Sequence, residues 1–174
     1  MINLDHRVER WVVHHRTEPF DSFFVALSHL GSYGIVWLIL AVLTVWLSRR
    51  PVAFPLVVIA YFGSAAVSDA IKLTVDRARP VDDPLVGQPA THSFPSGHAT
   101  TSFACAATLA PFVPRGAAPV LYVLATAIAY SRVYVGVHYP LDVLGGAALG
   151  LLFATALRLL PAVLRRSRPE QRAS

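Results

Sequence analysis

Three groups of residues in this chain carry the side chains that chemistry on an oxyanion needs. The first is Lys72, six intervening residues, then Arg79-Pro80. Of the 15 lysines and arginines only Lys72 is a lysine, which marks a position wanting a compact ammonium rather than a planar fork. Seven residues make two helical turns, so Lys72 and Arg79 can share a helix face, with Pro80 ending the helix there. A second reading stays open on this motif alone: Lys72 snorkels to an interface or pairs with Asp69 at i,i+3.

The second group is Pro95-Ser96-Gly97-His98, directly before an apolar run. Ser96 stands where a helix cap belongs. Gly97 allows close approach, and first-turn N–H groups make a ready anion site with His98 at its rim. Taken singly, the same four residues also read as an ordinary helix start. The third group is Ser131-Arg132, five residues, His138, three residues, Asp142. Pro140 fits the first turn of a new helix, which puts Asp142 one turn beyond His138. A carboxylate on one imidazole nitrogen fixes the tautomer and leaves the other nucleophilic. Arg132 offers a fork suited to phosphate oxygens. Singly, this group reads as a helix-capping aspartate beside a loop histidine. Together, three cations, an anion cradle and two histidines describe phosphoryl transfer: cations neutralise phosphate oxygens, one histidine attacks phosphorus, and another protonates the leaving oxygen.

The elements that must hold these groups are membrane helices. The chain has 174 residues, 55% hydrophobic and 14% charged, with mean hydropathy +0.53. A soluble domain carries about 25% charged residues, and one of this size is too small to hide so much apolar sequence. The single cysteine, Cys105, excludes an intramolecular disulfide scaffold. Apolar runs cover Phe23–Leu47, with Gly31 and Gly34 as break points, then Val52–Ser68, Ala99–Val113, Ala117–Ser131 and Val143–Leu157. The helical pattern of the second carries on through Asp69 and Lys72 to Val75. No cleavable signal peptide is read at the N-terminus.

Charge gives the sidedness. Arg49-Arg50, Arg115 and the tail arginines Arg158, Arg165, Arg166, Arg168 and Arg172 fall on one side if the runs alternate, and that side is cytoplasmic by the positive-inside rule. The loops Asp76–Ser96 and Arg132–Pro140 then face outward together. The net charge of +5 is thus mainly a topology signal, and nucleic acid is excluded as a partner for want of an aromatic-interleaved basic face. Leu4, Val8, Trp11 and Val12 share a face of an amphipathic segment read as an interfacial helix. Its arginines sit awkwardly outside, unless Phe23–Leu30 is a separate helix that brings the N-terminus inside.

The ordered set Lys72-x6-Arg79-Pro80, Pro95-Ser96-Gly97-His98 and Ser131-Arg132-x5-His138-x3-Asp142 resembles the type 2 phosphatidic acid phosphatase superfamily. That group spans membrane lipid phosphatases, polyprenyl diphosphate phosphatases, glucose-6-phosphatase and soluble vanadium haloperoxidases. The resemblance implies that His138 is the nucleophile forming a phosphohistidine, with Asp142 orienting it. It implies that His98 is the general acid and then activates water, and that Lys72, Arg79, Ser96, Gly97 and Arg132 hold the phosphate. The membrane members usually have six spans, and by its apolar runs this chain is read as lacking the first.

The expected fold is therefore all-α: a polytopic transmembrane bundle of five to six spans with an N-terminal interfacial amphipathic helix. The chain is read as one domain, 1–174, comprising an interfacial helix over 1–20, the bundle over 21–162 and a basic cytoplasmic tail over 163–174. No metal and no cofactor is expected, since Asp82 and Asp83 lack a ligand-spaced partner. The expected substrate is a lipid phosphate or diphosphate: phosphatidate, phosphatidylglycerophosphate, a polyprenyl diphosphate or a polyprenyl-linked sugar phosphate. Two alternatives are kept, a catalytically silent lipid-phosphate binder and a vanadate-dependent peroxidase. Membrane lipids are the surrounding partners. Gly146 and Gly150 read as a tight packing pair rather than a dimer seam, with a homodimer left open. His29 is expected to bond between helices and His92 to be an ordinary loop histidine, a headgroup contact being its lesser alternative, while His6, His14 and His15 are expected to lie at the interface.

Overall fold

The computed structural model describes residues 2–166, with side-chain surroundings for residues 3–160. Seven helices follow one another: α1 (Ile2–His14), α2 (Glu18–Ser32), α3 (Ile35–Ser48), α4 (Ala53–Lys72), α5 (Gly97–Leu109, continued by a 3-10 turn Ala110–Phe112), α6 (Ala118–Tyr134) and α7 (Pro140–Arg166). Among the described residues there is no strand. Of the expected basic tail, residues 167–174 lie outside the described residues.

Helix α5 is the hub. Its residues from Ala99 to Leu109 are buried except Phe103, and small side chains dominate its sequence. That composition lets neighbouring backbones approach closely. Gly146 and Gly150 of α7 lie directly against it: a Cβ on Gly146 would stand 2.5 Å from Ser96 O, and one on Gly150 would stand 2.9 Å from Ala104 N. The glycine pair is thus an intramolecular seam. Trp37 of α3, fully buried, donates its indole N–H to Ser102 Oγ at 3.3 Å. Leu27, Val57, Leu109, Leu121 and Ile128 join Trp37 in the apolar core.

The outer faces are apolar. Ile39, Leu43 and Trp46 of α3, Ile59 and Phe62 of α4, Val120 and Val123 of α6 and Leu144, Leu151 and Leu152 of α7 are all exposed, an apolar extent that water does not support on a monomer. Among the described residues, Ala53–Lys72 and Pro140–Leu160 are long and apolar enough to cross a membrane. Helices α2 and α3 together make a third candidate, bent by 67°. Helix α5, at 13 residues, is about 20 Å long, and its burial inside the protein frees it from needing a lipid-facing surface.

Two points left open by the sequence take a definite form here. Phe23–Leu30 does belong to a separate helix, α2, broken from α3 where Gly34 takes a left-handed conformation (φ 66°). That helix does not carry the N-terminus away, however. It runs obliquely past the end of α6, with Phe24 against Tyr130 and Tyr134 and Gly31 against Ile128 and His98. The second concerns α1. Leu4, Val8 and Trp11 form its exposed apolar stripe, but Asp5 and Glu9 are buried against the protein. The acidic face docks inward because Arg77 and the first turn of α7 await it there.

Candidate active site

The loop after α4 begins earlier than the proline predicts. Thr74 Oγ donates to Ile71 O at 2.8 Å, and the Thr74 and Val75 N–H groups both turn onto the same carbonyl. This local bonding competes with helix continuation, so α4 stops at Lys72. Arg79 therefore shares no helix face with Lys72, contrary to the spacing argument, and is held by the loop instead. Its Nε donates to Thr91 O at 2.8 Å, its Nη2 to Thr91 Oγ1 at 3.1 Å and to His92 O at 3.3 Å, and its Nη1 to Val137 O at 2.9 Å. The same Nη1 lies 3.2 Å from His138 Nε2. Burial pushes the Arg79 guanidinium below its usual range, opposed by Asp142.

Ser96 begins α5 but does not cap it: no side-chain cap bond forms, and its buried Oγ has no protein partner. Its backbone N–H donates to Asp142 O at 2.9 Å, which ties the starts of α5 and α7 together. The freed hydroxyl and the first-turn N–H groups of α5 are together an arrangement of donors that an oxyanion could use. Lys72 pairs with Asp69, as its second reading has it, and also faces the start of α5. Its ammonium bonds Asp69 Oδ1 at 2.9 Å, and a Cβ placed on Gly97 would stand 3.4 Å from it. Gly97 thus brings the helix start up to the ammonium.

Arg132, near the end of α6, acts through two groups. Its carbonyl accepts N–H bonds from Val137 and His138, both at 3.2 Å, closing the α6–α7 loop through Gly136 at φ 75°. Its guanidinium is buried, with Nη1 donating to Ser28 Oγ of α2 and Nε without a protein partner. His138, 3% exposed, presents Nδ1 to Asp142 Oδ2 at 3.4 Å. Asp142 is fully buried; its Oδ2 also accepts the Tyr139 N–H at 2.9 Å and the Ser93 hydroxyl at 2.5 Å. Burial depresses the His138 imidazole to about 4, helped by Arg79 and Arg132 and opposed by Asp142. It is neutral at neutral pH. With Nδ1 turned to a carboxylate, the Nε2 lone pair is left on the side of Arg79, a tautomer inferred from the bonding pattern.

His98, in the first turn of α5, lies within electrostatic reach of Arg132, His138 and Lys72. Its Nε2 is 3.3 Å from Ser32 Oγ of α2, and Gly31 makes room for its ring, since a Cβ there would stand 3.0 Å from His98 Cδ2. All eight residues singled out from the sequence therefore sit at one end of the bundle: Lys72, Arg79, Ser96, Gly97, His98, Arg132, His138 and Asp142.

Sequence reading missed the residues that brace them. Ser28, Ser32, Ser93 and Arg77 are separated from their partners by 49 to 104 positions, and no spacing rule reaches that far. Arg77 carried one usable signal, a second cation beside Arg79 in the loop that follows Lys72. His29 is exposed rather than bonded between helices. His92 pairs with Asp76 at 3.0 Å, and His6 stacks on Tyr139.

Comparison with known proteins agrees with this arrangement. Residues 52–166 match the PAP2 superfamily. The chain is 40% identical over 129 residues to decaprenylphosphoryl-5-phosphoribose phosphatase of Mycobacterium tuberculosis, covering 71% of each protein. It is 34% identical to undecaprenyl-diphosphatase of Sulfolobus acidocaldarius, covering 70% of this chain and 62% of that one. Among solved structures, the transmembrane PAP2-type phosphatidylglycerolphosphate phosphatase of Bacillus subtilis superposes with a TM-score of 0.77 at 26% identity, covering 95% of this chain and 88% of that one. Aquifex aeolicus LpxE gives 0.75 at 25% identity, over 87% and 93% of the two chains. An apolar helical bundle that gathers the full motif set at one end, and matches these proteins over most of its length, belongs to the PAP2 superfamily and is a membrane phosphatase.

Proposed function

We propose that this protein hydrolyses the phosphomonoester or diphosphate of a membrane lipid through a phosphohistidine on His138. The observation that carries the reading is the setting of His138 Nε2. The imidazole is neutral, backed by Asp142 and faced by Arg79, with Arg132 and Ser96 offering buried polar atoms that phosphate oxygens would satisfy. In the first step Nε2 attacks phosphorus and the bond to the leaving oxygen breaks, with His98 donating its proton to that oxygen. In the second, water attacks phosphorus, gives its proton to His98, and the P–N bond breaks. Lys72, Arg79, Arg132 and the α5 N-terminus carry the charge that develops on the oxygens.

The site lies at one end of a lipid-facing bundle, which favours an amphiphile with its tail alongside the helices. Two of the relatives are named for polyprenyl-linked substrates, so polyprenyl phosphates and diphosphates are the first to test. In this reading α3 to α7 cross the membrane and α1 lies in the interface. The end carrying Arg49, Arg50, Arg115 and Arg158 is cytoplasmic, and the site faces outward.

The test is a panel of purified lipid phosphates assayed with the detergent-solubilised protein, together with rapid-quench trapping of acid-labile phosphate on His138. His138→Ala should release no phosphate from any lipid and trap none. Vanadate should inhibit while EDTA does not. Turnover at the wild-type level in His138→Ala would overturn the phosphohistidine, and halide oxidation with vanadate and no lipid phosphatase activity would replace the reading by a peroxidase.

A further inference from the structure

Asp142 has a second carboxylate oxygen, and what holds it reaches beyond the three motifs. Oδ2 is taken by His138, Ser93 and the Tyr139 N–H, whereas Oδ1 accepts Nη1 of Arg77 at 2.6 Å. The other terminal nitrogen of Arg77 donates to Asp5 Oδ2 on α1. Asp5 Oδ1 in turn accepts the N–H of Leu141, the residue before Asp142, at 2.9 Å. The Arg77 guanidinium lies 4.4 Å from the centroid of the Tyr139 ring, on which His6 of α1 stacks at 4.3 Å. The two carboxylate side chains are buried, 2% and 0% exposed, and that of Arg77 is 19% exposed.

Two buried carboxylates this close repel unless a cation serves both, and a guanidinium alone among side chains can bond two acceptors along separate edges. A buried carboxylate that loses its partner is left as an uncompensated charge or turns away. Asp142 cannot turn without releasing His138 Nδ1. The chain Asp5–Arg77–Asp142–His138 therefore links the N-terminal helix to the nucleophile through three consecutive contacts.

We propose that Arg77, held by Asp5 of α1, is a positioning residue that fixes the Asp142 carboxylate and so keeps His138 Nε2 aimed at phosphorus. This rests on the phosphohistidine reading above. It makes α1 part of the working site, although no residue of α1 touches the substrate. Arg77 also tempers the negative charge that Asp142 presents to the imidazole. The charged and titratable groups around that ring are Arg79 from the loop, Arg132 from α6, Asp142 from α7 and His98 from α5, and Arg77 and Asp5 form the layer behind Asp142.

The charge layer gives a signature that loss of scaffolding alone lacks. Arg77→Gln removes a positive charge behind Asp142, so kcat should fall about 10–100-fold with KM within threefold. The acid limb of kcat/KM should move to higher pH by about 0.5–1 unit. Asp5→Asn removes a negative charge one layer further out. Its kcat should fall about 3–10-fold, and its acid limb should move the opposite way, to lower pH. Arg77→Lys keeps the charge and loses the double fork, so kcat should fall while the acid limb stays in place. The double variant Asp5→Asn/Arg77→Gln should be no slower than Arg77→Gln.

Wild-type kcat in Arg77→Gln and Asp5→Asn overturns the inference, as do equal losses of kcat in these two variants with unmoved acid limbs. If Arg77→Gln does not fold, Asp5→Asn carries the test through its acid limb and Arg77→Lys through its kcat, and wild-type kcat in both overturns the inference. Phosphohistidine trapping separates the two levels. No trapped phosphate on His138 in the wild type defeats the underlying mechanism. Trapping at wild-type rates in the wild type and all variants defeats the role of Arg77 alone.

Discussion

Gly146 of α7 lies so close to Ser96 that a Cβ on the glycine would stand 2.5 Å from the serine carbonyl oxygen. The same Ser96 gives its N–H to Asp142 O. Packing and chemistry are therefore coupled at the α5–α7 seam: the distance between these helices also sets the distance between the anion cradle and the base of the nucleophile. Gly146→Val should prevent native packing, seen as aggregated or protease-sensitive protein after detergent extraction, because the obstacle is backbone and cannot move aside. Gly87→Ala is the control, since nothing lies within 4 Å of a Cβ there. Equal stability of the two variants would refute the seam.

Gly97 differs in kind from Gly146. A Cβ there would make ordinary contact, 3.4 Å from Lys72 Nζ, so Gly97→Ala should fold and keep its thermal transition within about 2 °C of wild type, a change of about 1 kcal/mol or less. The methyl would stand between the ammonium and the helix start where the phosphate is proposed to sit. We expect phosphatase activity to fall about 10–100-fold and vanadate inhibition to weaken in parallel. A fully active Gly97→Ala would move the phosphate away from this helix end.

The pH dependence follows from His138. Its folded-state value is depressed to about 4, with burial as the main cause and the cations Arg79 and Arg132 behind it. The neutral, nucleophilic imidazole is present above that value and is lost as pH falls through it. The acid limb of kcat/KM assigned to the free enzyme should accordingly lie well below the ordinary histidine value of about 6.5. Arg79→Gln, which removes a cation beside Nε2, should raise it. An acid limb that stays put in Arg79→Gln would mean that another group controls it.

Glu9 gives the opposite sign in stability. On the buried face of α1 its Oε1 has no protein partner, and burial, reinforced by Asp82 and opposed by Arg16 and Arg10, pushes it from 4.5 to about 7. Below pH 4.5 the carboxyl is neutral folded and unfolded, and no penalty arises. As pH rises from 4.5 to about 7 the unfolded form ionises while the folded form stays protonated, so stability is lost, by about 1–3 kcal/mol in all, and above 7 the loss is complete. Glu9→Gln should therefore raise the thermal transition at pH 8 by several degrees and leave it unchanged at pH 4.5. Equal effects at both pH values would show that Glu9 ionises freely in the folded protein.

Much of this protein is legible in its sequence because the relevant physics is local. An apolar run long enough to cross a membrane becomes a helix whatever surrounds it, since its backbone groups must bond to one another. His138 and Asp142 meet because four residues span one turn around Pro140. The residue types in the three motifs likewise fix the kind of chemistry, since ammonium, guanidinium and imidazole each have few uses beside a phosphate. Other features depended on contacts between distant segments. Ser96 looked like a cap, but its carbonyl and N–H are claimed by Thr100 and Asp142 and its hydroxyl is left pointing elsewhere. Asp5 of α1 belongs to no motif, and only the fold places Arg77 and the Leu141 N–H against it. Arg77 itself belongs to no local pattern, and only the assembled bundle brings it between Asp5 and Asp142. Sequence spacing determines which side chains can share a turn, whereas the packing of one helix on another decides which buried charges must find each other.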